Sequence, residues 1–222
     1  MARTLVTLLA VFLLFVSGAK ANESLDLKTL LSGTVSMPGF LPLYWHAAEG
    51  TIYADIGNLK SPLIYYTGLS QGVGSNDLGL DRGRLGDTHL VQFERVGRKV
   101  LMKALNTRYV ARTDGVAERA AVEEAFATSV LWGFEVLAEA EGQLIIDLTD
   151  FVQRDAMGLS RWLKAQGEGA YRIDASRSVV HLPRTRAFPD NTEIDAQLTY
   201  TGDPKGKRLA TVTPDAAAVT VH

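Results

Sequence analysis

The sequence of 222 residues contains no cysteine. This absence excludes a disulfide framework, a thiolate metal site and a cysteine nucleophile. An excess of positive charge is also missing, because 23 lysines and arginines face 25 aspartates and glutamates, giving a formal net charge of −2. Proteins that bind nucleic acids usually carry a strong basic excess on one face, so we expect no nucleic-acid partner.

Long apolar runs are absent too, except for a short one near the N-terminus. The run Leu5–Val16 follows Arg3 and precedes an Ala-Lys-Ala cleavage site that ends at Ala21. It is shorter than the ~20 residues that a membrane-spanning helix needs. The pattern is typical of a secretory signal peptide over residues 1–21. We therefore expect an exported protein, periplasmic or extracellular, with no membrane association after the signal is cleaved.

The composition of the remaining chain predicts a folded protein. Apolar residues make up 46% of the sequence and charged residues 22%, which is normal for a globular chain. About 200 residues can bury roughly 70% of their unfolded surface, enough to do without disulfides. We expect a polar leader over residues 22–38 and a single domain over residues 39–222. The last residues have strand character and no closing tail follows, so we expect a domain that is truncated at its C-terminal end.

Strand signals dominate this domain. Apolar runs flank three turn segments at residues 48–50, 97–99 and 141–142, which predicts three hairpins. Residues 193–200 alternate strictly between polar and apolar, so one face of that strand is expected in a core and the other in water. The pattern indicates a largely antiparallel sheet.

Two helices interrupt the strands. The first is predicted at about 116–128, with Asp114 or Gly115 as its cap. The second is predicted at about 151–166, with Asp150 as its cap. Its apolar residues Val152, Ala156, Leu159 and Leu163 would form one stripe. Strand runs with two isolated helices indicate an α+β fold, mainly antiparallel β-sheet.

The segment of residues 71–86, QGVGSNDLGLDRGRLG, is the most unusual in the sequence. Its glycines allow left-handed backbone and close approach to another surface. It fails the patterns of a dinucleotide fingerprint, a Walker phosphate loop and a calcium loop. One interpretation is a long ordered loop that is pinned by Asp–Arg pairs.

The other interpretation is a docking element, since a charged, glycine-rich loop on a β scaffold can present an interaction surface. The residues that would form this docking loop are Gly74, Asn76, Asp77, Gly79, Asp81, Arg82 and Gly83.

The four histidines give no metal-binding pattern. His46, His89, His181 and His222 are scattered singly, and their spacing does not support a zinc site. His89 is expected as a hydrogen-bonded histidine within a sheet, and His181 on an exposed strand face. The serines lack the Gly-x-Ser-x-Gly elbow of acyl-transfer enzymes. We therefore predict no catalytic and no metal-binding residue.

Several longer motifs carry a family resemblance. They are GSND at 74–77, GLDRG at 79–83, VQFERVG at 91–97, EEAF at 123–126, SVLWGF at 129–134, YRIDASRS at 171–178 and LPRT at 182–185. With these motifs the chain, from roughly Gly39 to His222, resembles the domain of unknown function that precedes the catalytic domain in large secreted bacterial zinc-dependent metallopeptidases.

The resemblance implies a function without local catalysis. In that family the zinc chemistry belongs to a later domain with an extended His-Glu-x-x-His motif, which this sequence lacks. Zinc is thus expected in the absent catalytic domain and no cofactor on this chain. We expect a non-catalytic accessory domain whose partner is the protease catalytic domain in cis, acting by docking, folding assistance or control of cleft access. The alternative is a free-standing envelope module that binds a peptide, glycan or lipid on Trp45, Tyr65 and Tyr66.

Overall fold

The computed structural model describes residues 26–222. The expected signal peptide and the first residues of the expected leader lie outside this range. Among the described residues, no helix has both the length and the apolar character needed to cross a membrane.

An eight-stranded antiparallel sheet forms the larger part of the protein. Its strands are β1 (Thr34–Met37), β2 (Leu43–His46), β3 (Thr51–Asp55), β4 (Leu63–Gly68), β5 (Leu85–Val96), β6 (Lys99–Ala104), β7 (Ser129–Ala140) and β8 (Gln143–Asp147). Their order in the sheet is β1-β2-β3-β8-β7-β6-β5-β4, so β1 and β4 form its edges. β1 pairs along its length with β2, which brings part of the expected polar leader into the sheet.

The three predicted hairpins are confirmed as β2–β3, β5–β6 and β7–β8. Each turn contains a glycine with positive φ: Gly50 at 66°, Gly97 at 60° and Gly142 at 84°. Glycine adopts this left-handed backbone at no steric cost, which is why short turns of this kind can be predicted from the sequence.

A smaller antiparallel sheet lies in the C-terminal part. The remaining strands are β9 (Gly169–Ile173), β10 (Val179–Val180), β11 (Arg186–Ala187), β12 (Thr192–Glu193), β13 (Ala196–Pro204) and β14 (Ala218–Val221). β13 is central and pairs with β9, β10 and β14, whereas β11 and β12 form a separate two-stranded ribbon.

The helices are short. They are α1 (Leu27–Leu30), α2 (Val116–Ala125), α3 (Thr149–Val152), α4 (Leu159–Ala165) and α5 (Arg208–Val212). The predicted fold class, α+β and mainly antiparallel β, is confirmed. The first predicted helix is α2, and Gly115 is its N-cap.

The second predicted helix, 151–166, is wrong as a single element. The structure has two pieces, α3 and α4, separated by residues 153–158, and Gly158 directly before α4 has a left-handed φ of 66°. Asp150 does not cap it as predicted. Instead, the Asp155 carboxylate accepts hydrogen bonds from the amides of Leu159 and Ser160, at 2.7 and 3.0 Å, and so caps α4 alone. Ala156 of the predicted apolar stripe is exposed.

Two apolar cores hold the structure together. The first lies against the large sheet and includes Phe151 of α3, with Leu43, Ile52 and Ile146. The second lies between α4, the small sheet and the segment 69–80, and its most deeply buried members include Leu78, Leu80, Leu163, Tyr200 and Leu209.

The alternation predicted for residues 193–200 is only partly correct. Tyr200 is buried as expected, but Thr199 on the opposite face is also buried, at 5% exposure. Its hydroxyl donates to the Arg177 carbonyl at 2.9 Å, and its amide donates to the Ser178 hydroxyl at 3.1 Å. The loop 174–178 therefore covers the face that the polar pattern assigns to water.

Candidate functional site

The segment 71–86 forms a closed loop with a fixed backbone. At its base, the Leu69 amide donates to the Arg84 carbonyl at 2.9 Å, and the Gly83 amide donates to the Leu69 carbonyl at 2.7 Å. Further out, the Val73 amide donates to the Leu80 carbonyl at 2.9 Å. These bonds across the loop hold its two arms together.

The interior of this loop is apolar. Val73, Leu78 and Leu80 are buried and belong to the second core. Gly72 allows the two arms to approach closely, because a Cβ atom at that position would lie 2.0 Å from the Leu80 carbonyl oxygen. The buried leucines therefore anchor the loop in the second core.

The residues predicted for docking point largely outward. Gly74, Asn76, Asp77, Arg82 and Gly83 are exposed, and Gly79 and Asp81 are half-buried. The Asn76 amide lies beside the Asp81 carboxylate, and the orientation assigned to it from its neighbours lets its nitrogen donate to that carboxylate at 3.1 Å. Five of the seven predicted docking residues are therefore accessible on the outside of the loop.

The expected Asp–Arg pairs do not pin the loop in the described residues; other contacts do. Arg84 donates to the Gly79 carbonyl, and its guanidinium lies 4.0 Å from the centre of the Trp162 ring. The Trp162 indole donates to the Leu78 carbonyl at 2.7 Å, and Arg208 donates to the Asp77 carbonyl at 3.2 Å. Arginines hold the loop through its carbonyl groups and an aromatic face, leaving its acids free of these bonds.

A second feature lies where this loop meets the small sheet. His181, Asp195 and His222 converge there. The Nδ1 atoms of His181 and His222 lie 2.7 and 3.2 Å from the same carboxylate oxygen, Oδ2 of Asp195. The two imidazole rings are perpendicular, with centroids 4.6 Å apart. We call these three residues the His-Asp-His cluster.

Three neighbouring strands position the cluster. His181 directly follows β10, His222 directly follows β14, and Asp195 directly precedes β13, which pairs with both in antiparallel fashion. In antiparallel pairs the start of one strand lies beside the ends of its neighbours. The three side chains therefore meet at one edge of the small sheet.

Hydrogen bonds around the cluster fix its members. The Ser70 hydroxyl donates to the other oxygen of Asp195, Oδ1, at 2.7 Å, and Arg184 donates to Ser70 at 3.1 Å. The backbone of His222 exchanges bonds with residues 70 and 71, including its amide to the Gln71 carbonyl at 2.9 Å. The cluster consequently joins the end of the chain segment 218–222 to the base of the docking loop.

Electrostatics favour an ionised Asp195. Burial acts to raise the pKa of this carboxyl, but the hydrogen bonds from Ser70, His222 and His181 outweigh it and hold the pKa below its usual range. The carboxylate is thus available as an anionic acceptor between two imidazoles.

The meeting of these three side chains was not predicted from the sequence, for an identifiable reason. His181 is expected on an exposed face, yet its side chain is only 25% exposed, and that of Asp195 only 11%. The three residues are separated by 14 and 27 positions along the chain, which no local metal motif spans. Their common location at strand ends is the signal that could have found them.

The aromatic residues of the alternative binding module do not form one face. Tyr65 and Trp45 pack against the first core. Tyr65 is held there by Arg154, which donates to its hydroxyl at 2.7 Å. Tyr66 is exposed. As the neighbour of Tyr65 in β4, it projects from the opposite side of the sheet.

Comparison with known proteins identifies the family. A family model described as "Domain of unknown function (DUF5117)" matches residues 83–222, more than half of the chain. The chain belongs to this family. The DUF5117 match contains the whole His-Asp-His cluster, whereas most of the docking loop precedes it. No curated protein and no solved structure matches the chain.

Proposed function

We propose that this DUF5117 domain is the non-catalytic N-terminal accessory domain of a secreted zinc-dependent metallopeptidase, and that it docks on the catalytic domain through the docking loop. The sequence motifs at 74–83, 91–97 and 171–185 support this assignment through their resemblance to the N-terminal region of such peptidases.

The proposal rests mainly on the ordered structure of the docking loop. Its apolar side chains are buried in the second core, its backbone is fixed by cross-loop bonds, and its polar residues face outward. A loop that is already ordered loses little conformational entropy when it binds, so more of its contact energy is available for affinity. Loops on rigid scaffolds are common interaction surfaces.

The charges of this loop suit a mixed polar interface. Asp77 and Arg82 are exposed, carry opposite charges and point away from the core. Rim charges of this kind steer association and fix the orientation of the partner. In the proposed assembly the domain is exported by the signal peptide of residues 1–21, and zinc is held by the catalytic domain.

The docking step can be tested with the catalytic domain produced as a separate chain. Changing both Asp77→Ala and Arg82→Ala should weaken binding about tenfold, which corresponds to ~1.4 kcal/mol. The matched control is Arg112→Ala with Asp114→Ala, since both residues are exposed and the same charges are removed. Isothermal titration calorimetry measures both affinities.

Two results would contradict the proposal. Equal affinities for the docking-loop variant and the control variant would remove the docking surface. Chelator-sensitive hydrolysis of casein by the purified chain alone would show that the domain is itself a peptidase.

A further inference from the structure

We propose that the His-Asp-His cluster is a binding site for a divalent transition metal ion such as Zn²⁺. The ligands would be Nδ1 of His181, Oδ2 of Asp195 and Nδ1 of His222. This inference concerns the chain itself and does not depend on its role beside a peptidase.

The positions of the donor atoms match a small ion. Zinc binds histidine nitrogen at ~2.0–2.1 Å and carboxylate oxygen at ~2.0–2.2 Å in a tetrahedron, which places neighbouring ligand atoms about 3.3 Å apart. The two Nδ1–Oδ2 distances are 2.7 and 3.2 Å, and each of the three side chains places one possible ligand atom within 4.8 Å of the other two. Binding of the ion therefore requires the distance between His181 Nδ1 and Asp195 Oδ2 to widen by about 0.6 Å.

Metal binding would change which ring nitrogen of His181 and His222 carries the hydrogen. Without metal, each imidazole donates its Nδ1 hydrogen to the shared carboxylate oxygen. With metal bound, Nδ1 of each neutral ring holds the ion, and the ring hydrogen is on Nε2. The carboxylate charge then offsets part of the charge of the ion.

The surroundings of the cluster resemble those of metal sites. Ligating carboxylates and histidines are usually oriented by further hydrogen bonds. Here Ser70 binds the free oxygen of Asp195, and Arg184 binds Ser70. The backbone amide of His181 also donates to the Asp195 carbonyl at 2.8 Å, which fixes the spacing of two of the three ligands.

The exposure of the three side chains leaves a route for the ion. The side chains of Asp195 and His222 are 11% and 10% exposed to solvent, whereas that of His181 is 25% exposed. Three protein ligands leave a fourth position open for water or for a donor from another molecule. The site is thus enclosed enough to hold an ion and open enough to admit one.

The donor set selects the class of metal. Imidazole nitrogen suits zinc, copper, iron and nickel, while magnesium and calcium prefer sites built from oxygen ligands alone. Two nitrogens and one carboxylate therefore favour Zn²⁺ over Mg²⁺ and Ca²⁺. The metal would tie β10, β13 and β14 to the base of the docking loop, since His222 is bonded to residues 70 and 71.

The test uses the purified chain without a histidine tag. Calorimetric titration with Zn²⁺ should give one ion per chain, and Mg²⁺ should give no binding. His181→Ala, the most exposed of the three, should weaken Zn²⁺ binding at least ~10-fold. The matched control is His89→Ala, which removes a histidine in β5 outside the cluster and should leave the affinity unchanged. Zn²⁺ at about 100 times its Kd should raise the Tm of the wild type by ~5 °C or more.

Equal zinc affinities for the wild type and a folded His181→Ala variant would overturn the proposal. If that variant fails to fold, nitrogen-15 NMR of the wild-type histidine rings decides. Zinc should shift the Nδ1 signals of His181 and His222 and leave those of His46 and His89 in place. Shifts that include His89, or no shifts at His181 and His222, would refute the site.

Discussion

Asp155 is the residue on which the start of α4 depends. One carboxylate oxygen accepts from the Leu159 amide and from the Tyr200 hydroxyl, at 2.7 and 2.8 Å, and the other accepts from the Ser160 amide. The side chain therefore joins a helix N-terminus to the central strand of the small sheet.

Asp155→Ala removes all three bonds and leaves the buried Tyr200 hydroxyl without this partner. The free energy of unfolding should fall by about 2 kcal/mol, as expected for a lost cap together with an unsatisfied buried hydroxyl. Urea denaturation measures the change. The control is Asp150→Ala, an exposed aspartate in α3, which should change stability by less than about 0.5 kcal/mol. If Asp150→Ala lowered the free energy of unfolding more than Asp155→Ala does, the assignment of Asp155 as the cap of α4 would be wrong.

Tyr200 gives the protein a defined sensitivity to alkaline pH. Burial first, and then the adjacent Asp155 carboxylate, raise the pKa of this phenol above its usual range. An unfolded tyrosine loses its proton near pH ~10, while the folded one keeps it. Above that pH the unfolded state binds fewer protons, so stability falls as the pH rises.

Tyr200→Phe should therefore lower the stability at neutral pH and reduce the loss of stability at alkaline pH. At pH 8 the variant should be about 1 kcal/mol less stable, because the bond to Asp155 is lost. Above pH 10 its stability should decline less steeply than that of the wild type, by up to ~1.4 kcal/mol per pH unit. Denaturant unfolding at pH 8 to 11 measures both effects; parallel pH profiles for the two proteins would refute the argument.

At the scale of elements, the docking loop depends on the close approach of its two arms at Gly72. Gly72→Ala places a Cβ atom against the Leu80 carbonyl and should destabilise the protein by about 1–3 kcal/mol. Gly133→Ala in β7 is the control, because its added Cβ would meet only Leu101 at an ordinary 3.6 Å. It should change stability by less than about 0.5 kcal/mol. Thermal unfolding of both variants compares the two sites; equal effects would argue against a fixed loop.

Some of these elements could be predicted from the sequence and others could not. The hairpins at Gly50, Gly97 and Gly142 were predictable because their signals are local: a glycine turn between apolar runs. The break between α3 and α4 was missed although its signals, Asp155 and Gly158, are local, because the apolar stripe was read as one continuous helix. An apolar stripe alone cannot distinguish one long helix from two shorter pieces.

The candidate site also has one part that the sequence predicted and one part that it did not. The docking loop was predictable in position from its glycines and charges, but its anchors, Arg84 on Trp162 and Leu78 in the second core, are tertiary contacts. The His-Asp-His cluster was not predictable from spacing, since it forms only when β10, β13 and β14 pair. Strand pairing between distant segments carries no short-range sequence signal.

At the scale of the whole molecule, the docking loop connects the large sheet to the second core, which packs against the small sheet. The loop leaves β4 at the edge of the large sheet, inserts its leucines into the second core and returns as β5. Its base also bonds to His222 beside β14. A partner bound to the loop would thus contact the junction of both halves, which suits a domain that docks as one unit.

We propose that this domain precedes a peptidase catalytic domain in one polypeptide, and sequencing the gene beyond the codon for His222 tests that proposal. We expect an open frame that continues to an extended His-Glu-x-x-His motif. A stop codon immediately after His222 would contradict it and would favour a free-standing module of the cell envelope.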